Sequence, residues 1–453
     1  MERTLNTTEA MLKRSHTMGI DTPLIGQVEL AVAAPFAVDA FVAALQRSVT
    51  RLVYSTPALQ EILSTDGQAI VGATDAQLDA VAVVRIDMPD VLAHLLTIKF
   101  DLFTQVAIRV VVTVVESTTV VVSLVMGHVF TDGDSLFTVL HAILADAGIH
   151  DTGAPIVRVP WTARPQAYDI PSDVSTVHEV VGFIVFLFVL MKRKLFGMWK
   201  PLIAPPVAIA AALATTPEAF PHYTHVADVP AATLASLRAG CKARGITLTT
   251  LLTTAAMAAA ASTFKASRVA AQTMINMRWH GVHGAGLGGY ATDSDTAMCI
   301  TTEPSTLSYP AAVWAQAIAT QWFVEPAAIQ RAIGRCFFVR HLNIRDLPAA
   351  DMYTGECLTA SIITSNLGAP RHFTASYFHD TMALRKSRFC YGTFVPFFGF
   401  STYHDVHVTL TCRTSMLPQA DAARWMATFM SLLQDLAEAD SLNDFTALAH
   451  KSI

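Results

Sequence analysis

The sequence predicts an α/β protein built from two lobes. Three observations carry the prediction. Two β-branched runs, residues 106–115 and 120–126, stand back to back and lead straight into a helix-periodic stretch over 134–147. Helix-like and strand-like segments then alternate a second time between residue 231 and the C-terminus. Between the two series, residues 151–225 are crowded with prolines (Pro155, Pro160, Pro165, Pro171, Pro201, Pro205, Pro206, Pro217), as a linker between two halves is. A chain of 453 residues suits two or three domains, and the division is placed at 1–150, 151–225 and 226–453.

Taken in order, the first helix is expected from Pro35. Phe36, Ala40, Phe41, Ala44, Leu45 and Val49 fall at helical spacing, with Asp39 in the first turn. The runs 106–115 and 120–126 are separated only by Glu116, Ser117, Thr118 and Thr119, which predicts a hairpin. The second run is apolar on both faces except for Ser123, so it belongs inside a sheet. In the following helix Leu136, Phe137, Val139, Leu140, Ile143 and Leu144 form the buried face, and Gly148 stands at the C-terminal cap. The second half opens with helices over 231–244 and from Leu248. Strands follow at 273–278, 360–364, 393–400 and 406–411. A last helix, 420–436, carries Trp425, Phe429, Leu432, Leu433 and Leu436 on one face.

Composition decides between broad classes. The chain is 52% hydrophobic and 15% charged, with a mean hydropathy of +0.42. That excludes disorder, collagen and a disulfide-stapled mini-protein, and leaves a large apolar-rich globular protein or a membrane protein. Residues 246–264 are uncharged but rich in Ala and Thr, which insert poorly, and 304–324 contains two prolines and two glutamines. The strongest apolar run extends from Val180 to Met191 and is closed by Lys192, Arg193 and Lys194. As a helix its twelve residues reach roughly 18 Å, short of the ~30 Å hydrocarbon core. The segment is read as buried or interfacial, and Val180 to Lys194 is the candidate contact with a membrane surface. The net charge of −5 gives no basic footprint, so no nucleic-acid partner is expected. Six widely spaced cysteines without a C-x-x-C fit reduced thiols, and the first residues show no apolar leader. A cytoplasmic protein, with the membrane contact peripheral, is expected. Asn6-Thr7-Thr8 is then a chance sequon.

The most informative stretch is Gly127-His128-Val129-Phe130-Thr131-Asp132-Gly133. A histidine ends a buried strand, an aspartate follows four residues on, and a glycine precedes the helix. An imidazole holds an acceptor nitrogen near neutral pH and takes a proton from a hydroxyl. Gly133 is expected to permit a turn conformation that a Cβ resists. Spacing alone leaves Asp132 open between base and anchor. The plain alternative is an interior histidine followed by a helix-capping aspartate.

H-x-x-x-D-G between a β-branched strand and an amphipathic helix resembles the signature of the CoA-dependent acyltransferase superfamily. That group includes chloramphenicol acetyltransferase, plant BAHD acyltransferases, peptide-synthetase condensation domains, alcohol acetyltransferases and wax ester synthases. The resemblance extends along the chain. Residues 5–9 and 26–63 look like the family's opening, and Phe100-Asp101-Leu102 looks like the lead-in to its histidine. Ile275-Asn276-Met277-Arg278 is similar to its N-x-R strand, and Thr364-Ser365-Asn366-Leu367-Gly368 to its S-N-x-G strand end. The stretch 400–436 resembles the family's C-terminal closure.

This resemblance implies two similar chloramphenicol-acetyltransferase-like lobes with a tunnel between them, donor and acceptor entering from opposite faces. His128 would be the general base, and the acceptor would attack the thioester without an acyl-enzyme. Asp132 would point away from substrate and pair with Arg278, while Ser365 and Asn366 would bind the oxyanion or be a capped strand end. The resemblance further implies no permanently held cofactor, with acyl-CoA as the co-substrate and a hydroxyl compound as the acceptor. Three departures matter. Gly127 replaces the first of two histidines found in many relatives. The D-F-G-W-G motif is missing, its nearest text being Phe397-Phe398-Gly399-Phe400, and no carrier or adenylation segment is present.

Other motifs are weaker. Gly284-Ala285-Gly286-Leu287-Gly288-Gly289 satisfies G-x-G-x-x-G, but no helix pattern follows. His280 and His283 lack a third ligand nearby, so no metal is expected. No G-x-S-x-G elbow occurs. His379/Asp380 and His404/Asp405 are sequence neighbours and make no dyad on a strand. The expectation is therefore an acyl-CoA:alcohol O-acyltransferase. Its alternatives are a free-standing condensation-type enzyme with a carrier-bound donor, and a non-catalytic, membrane-recruited protein on the same fold.

Overall fold

The two β-branched runs meet as the expected antiparallel hairpin, Ile108–Glu116 against Thr119–Met126, turning on Ser117 and Thr118. The computed structural model describes residues 2–5, 7–148, 156–162, 176–195, 216–266, 269, 271–276, 291–294, 310–324, 362–369, 373–378, 380–393 and 395–439. In chain order the strands are β1 (Glu2–Thr4), β2 (Leu24–Val32), β3 (Glu61–Leu63), β4 (Ala69–Gly72), β5 (Val83–Arg85), β6 (Ile108–Glu116) and β7 (Thr119–Met126). There follow β8 (His222–Val229), β9 (Ala271–Asn276), β10 (Ala291–Ser294), β11 (Ile362–Asn366), β12 (Ser376–Tyr377), β13 (Met382–Cys390), β14 (Phe397–Tyr403) and β15 (Asp405–Arg413). The helices are α1 (Thr7–Thr17), α2 (Val38–Ser55), α3 (Asp75–Asp79), α4 (Val91–Leu95), α5 (Gly133–Ala147), α6 (Thr176–Leu195), α7 (Ala231–Ala243), α8 (Leu248–Phe264), α9 (Pro310–Val324) and α10 (Gln419–Glu438).

Two six-stranded sheets organise the lobes. The first runs β12-β13-β2-β7-β6-β5, the second β10-β9-β11-β14-β15-β8, and β1, β4 and β3 make a small third sheet. On the first sheet, α2 and α5 bury their apolar stripes, Phe41, Leu45 and Val49 meeting the same core as Leu136, Leu140 and Ile143. On the second, the Ala/Thr helix α8 is buried along nearly its whole length, because small side chains let neighbours pack on every side. Trp425 and Phe429 of α10 pack on Phe398 of β14, and the indole N–H of Trp425 donates to the Ala256 carbonyl at 3.0 Å.

Strands β12 and β13 lie in the sequence interval assigned above to the C-terminal half, yet they extend the sheet of the N-terminal half beside β2. This crossover joins the lobes. Ser401 Oγ donates to the Ser387 carbonyl and Thr409 Oγ1 to the Phe389 carbonyl, each at 2.5 Å, binding β14 and β15 to β13. The Asp228 carboxylate on β8 accepts from Lys386 Nζ at 2.7 Å and from His407 Nδ1 at 2.9 Å, with Arg388 at 3.5 Å.

The proline-crowded interval holds α6 and the start of β8. Among the described residues no single helix is long and apolar enough to cross a membrane. The pair α7 and α8 is apolar enough when taken together, but it bends by 107° and packs in the core of the second lobe.

Candidate active site

Strand register brings the site together. Ile25 of β2 pairs with Val125 of β7 on one side and with Cys390 of β13 on the other. Both pairings are antiparallel, so β7 and β13 run in the same direction and end at the same edge of the sheet, where β2 begins. Three chain segments therefore converge there: the His128 loop leaving β7, Tyr391 leaving β13, and Asp21-Thr22-Pro23 entering β2.

The loop from Gly127 to Asp132 is closed by backbone bonds, Gly127 N–H to the Ala107 carbonyl at 2.9 Å and Phe130 N–H to the Gly127 carbonyl at 3.2 Å. Val129 and Phe130 anchor it in the core. His128 Nδ1 lies 2.8 Å from the Thr131 carbonyl oxygen. A carbonyl only accepts, so Nδ1 carries the proton and donates, and Nε2 of the neutral ring is left as the acceptor. Burial lowers the His128 pKa below its usual value, against the opposing pull of the Thr131 carbonyl and the nearby Asp132. The ring is thus neutral at pH 7, with a lone pair on Nε2.

Asp132 is fully buried and caps α5, its Oδ1 accepting from Ser135 N–H at 2.9 Å. Such a cap contributes about 1 kcal/mol and fixes where the histidine loop ends. Gly133 serves differently from the sequence expectation. It opens α5 and is not among the glycines with a left-handed backbone. Its value is space: a Cβ there would stand 2.9 Å from Leu367 Cδ2. Gly127 is likewise enforced, since a Cβ would come 2.7 Å from the Cβ of Ala107. That contact explains why this chain carries no histidine at the first position of the motif.

Leu367 brings the end of β11 against the start of α5. Ser365 is buried on the sheet face that carries Ile363 and Phe397, while Thr364 points the other way, to Thr253 and Thr273. Phe397 in turn packs edge-on against Tyr391, with ring centroids 5.5 Å apart. Asn366 closes the strand end: its amide donates to Thr249 Oγ1 at 2.9 Å, and its Oδ1 accepts from Gly368 N–H at 2.9 Å. Both groups of its side chain therefore serve the strand end and α8. Arg278, His280, His283, His379 and the stretch 284–289 lie outside the described residues.

Two site residues had no signal in the sequence. The Tyr391 ring stands edge-on to the His128 ring, with centroids 4.8 Å apart and an interplanar angle of 89°. Its hydroxyl donates to Asp21 Oδ2 at 2.9 Å. Neither residue falls in a motif, and Asp21-Thr22-Pro23 reads as an ordinary turn.

No family model matches the chain, and no curated protein sequence does. Solved structures do. TRI3 trichothecene 15-O-acetyltransferase from Fusarium sporotrichioides superposes with a TM-score of 0.72 over 96% of this chain and 95% of its own, at 10% identity. The first condensation domain of the CDA synthetase gives 0.62 over 98% of this chain and 97% of its own, at 12% identity. The nonribosomal peptide synthetase FmoA3 gives 0.63 at 16% identity, and this chain spans 97% of itself but only 43% of that much longer chain. The architecture is therefore the two-lobed α/β fold of these acetyltransferase and condensation structures. At such identities the likeness is one of fold.

Proposed function

We propose that this protein is an O-acyltransferase that moves an acyl group from acyl-CoA to an alcohol. The observation that carries the reading is His128: a half-buried, neutral imidazole with Nδ1 committed to the Thr131 carbonyl and Nε2 left to accept a proton. In this mechanism Nε2 takes the acceptor's O–H proton as the oxygen attacks the thioester carbonyl. Collapse of the tetrahedral intermediate breaks the C–S bond, and the imidazolium returns the proton to the CoA thiolate. Base catalysis of this kind supplies about 10²–10⁴-fold. Ser365, on the sheet face whose Phe397 packs against Tyr391, is the candidate donor to the oxyanion. Asn366 takes the supporting role of holding the strand end. Asp132 holds the loop, and Arg278 is its candidate partner.

The fold is shared with condensation domains, so a carrier-bound donor is the second reading. The deciding experiment offers short- and long-chain acyl-CoAs, and the same acyl groups on an acyl-carrier protein, to the enzyme with a panel of alcohols. Thiol release with acyl-CoA supports the first reading. Turnover only with the carrier supports the second, and product with neither donor rejects acyl transfer.

Helix α6 is the candidate membrane contact. Val177, Val180, Val181, Ile184, Phe188 and Met191 are exposed along it, whereas Gly182 is buried and Phe183 and Leu187 are partly so. Lys192, Arg193 and Lys194 follow the exposed stripe, and no acidic residue occurs between Val180 and Pro217. An apolar face next to a basic run suits an anionic bilayer surface. Co-sedimentation with anionic liposomes, lost when the three basic residues are neutralised, supports this contact. Equal co-sedimentation of both proteins, or none by either, rejects it.

A further inference from the structure

The Tyr391 phenol is fixed at both ends. Its hydroxyl donates to Asp21 Oδ2, and the next residue, Gly392, exchanges two hydrogen bonds with the neighbour of Asp21. Thr22 N–H donates to the Gly392 carbonyl at 2.8 Å, and Gly392 N–H donates to Thr22 Oγ1 at 2.7 Å. Asp21, Thr22, Gly392 and Tyr391 thereby form a closed ring of covalent and hydrogen bonds, and the phenol edge that leaves it rests on His128.

Packing alone does not explain the acceptor. A buried tyrosine is satisfied by any backbone carbonyl. Here it bonds the carboxyl of half-buried Asp21, whose Oδ1 is shut off from solvent and has no hydrogen-bond partner among the described residues. Burial pushes Asp21 up to about 7, against the Tyr391 hydroxyl and Arg413, which pull it down. Arg413 is itself held by the Phe220 and Ile20 carbonyls at 2.8 and 3.3 Å. His222, which also feels Arg413, is kept neutral: burial and then Arg413 push it down to about 3, and its Nε2–H donates to the Thr393 carbonyl at 3.2 Å. Of these groups it is Asp21 that titrates near neutral pH, while burial holds His128 below its ordinary value. Retaining a costly carboxyl one bond away from the residue that packs on the candidate base points to a task beyond stability.

We propose that Asp21 and Tyr391 are a positioning pair for His128. The Asp21–Tyr391 hydrogen bond presses the phenol edge against the imidazole and keeps Nε2 aimed at the acceptor, a role that rests on the acyl-transfer reading above. Misplacing a catalytic group by 1 Å costs up to about 10²-fold, so the pair has leverage without touching substrate.

The test compares the parent with Tyr391→Phe, Asp21→Ala and Asp21→Asn in the full chain. Asn keeps an oxygen that accepts from Tyr391, whereas the other two variants break the bond. The first readout needs no substrate: the rate at which diethyl pyrocarbonate modifies His128, followed peptide by peptide in mass spectra between pH 5 and 8. Only the neutral ring reacts. The parent midpoint is expected below the ordinary histidine value of about 6.5. Tyr391→Phe and Asp21→Ala are expected to move it up toward that value as the ring loosens and water enters, and Asp21→Asn to leave it in place. With acetyl-CoA and a primary alcohol that the parent accepts, kcat is expected to fall about tenfold or more in the two bond-breaking variants, with little change in KM. The double variant Tyr391→Phe/Asp21→Ala is expected to be no worse than either single one. An unchanged His128 midpoint across all variants overturns the pair. If the parent turns over no acyl donor, acyl transfer fails, while the midpoint pattern still decides whether the pair positions His128.

Discussion

Leu367 seats itself in the space that Gly133 leaves, so near that a Cβ on Gly133 would lie 2.9 Å from Leu367 Cδ2 and 3.2 Å from Phe389 Cζ. Gly133 begins the helix after the histidine loop, and Leu367 follows the last residue of β11 in the other sheet. The two motifs that the sequence resemblance singled out are therefore in contact across the lobes. Gly133→Ala is expected to destabilise the protein by about 1–3 kcal/mol through overpacking. Leu367→Ala in the same chain is expected to restore part of that loss, as read from urea denaturation midpoints. Purely additive effects would contradict the contact.

A second prediction concerns the glycine at the first position of the motif. Its missing Cβ would stand 2.7 Å from Ala107 Cβ, where neither atom has a rotamer to escape into. Gly127→Ala is expected to cost about 1–3 kcal/mol, and Gly127→His more. Pairing Gly127→Ala with Ala107→Gly is expected to recover most of the loss in thermal unfolding. Full stability of Gly127→His would show that the loop accepts a double histidine.

The half-buried Asp21 carboxyl makes stability depend on pH in a definite direction. In the unfolded chain it ionises near the ordinary value of about 4, and in the folded protein at about 7. Between those values the folded state holds the extra proton, so stability falls as pH rises through the interval. Asp21→Asn lacks this loss. Its stability relative to the parent is expected to increase from pH 5 to pH 7 and then level off, as measured by urea denaturation. A constant difference would place the carboxyl in water.

The Asp228 cluster behaves in the opposite sense. Burial works to raise the carboxyl, and the bonds from His407 and Lys386, with Arg388 beside them, outweigh burial and hold it well below the usual range. The stabilisation is present above the ordinary carboxylate value and is lost as pH falls below it. Asp228→Ala is expected to cost about 2 kcal/mol at pH 7, the penalty narrowing below about pH 4. Because Asp228 reaches from β8 to β13, the same variant is expected to loosen the contact between lobes, read as faster amide exchange in β13.

What was legible in the sequence was local. The hairpin of β6 and β7 and the helix α5 follow from β-branched runs, a short polar linker and helical spacing within 40 residues, and the His128 motif sits at their junction; the linker's four residues shrink in the structure to a two-residue turn on Ser117 and Thr118. Strand β13 escaped notice because Arg385, Lys386 and Arg388 interrupt its apolar pattern, which is further shifted by an irregularity between Leu384 and Lys386. Its partner β2 lies some 350 residues earlier, beyond the reach of any local signal. Tyr391 was hidden with it, since only the shared register of β13, β2 and β7 places its ring on His128. Gly133 was noticed for the wrong physical reason, because the space it leaves for Leu367 is a tertiary fact. Asn366 had two open readings, and its bonds to Thr249 and Gly368 serve the strand end.

The central claim is that His128 removes the acceptor proton. Its most direct test is the pH profile of thiol release from acyl-CoA, in the presence of an accepted alcohol, for the parent and for His128→Ala. Burial lowers the His128 pKa, so the acid limb of kcat/KM for the parent is expected below about pH 6.5. His128→Ala is expected to lose that limb and about 10²–10⁴-fold in kcat while remaining folded. A variant that turns over as fast as the parent, with the same acid limb, would contradict the account.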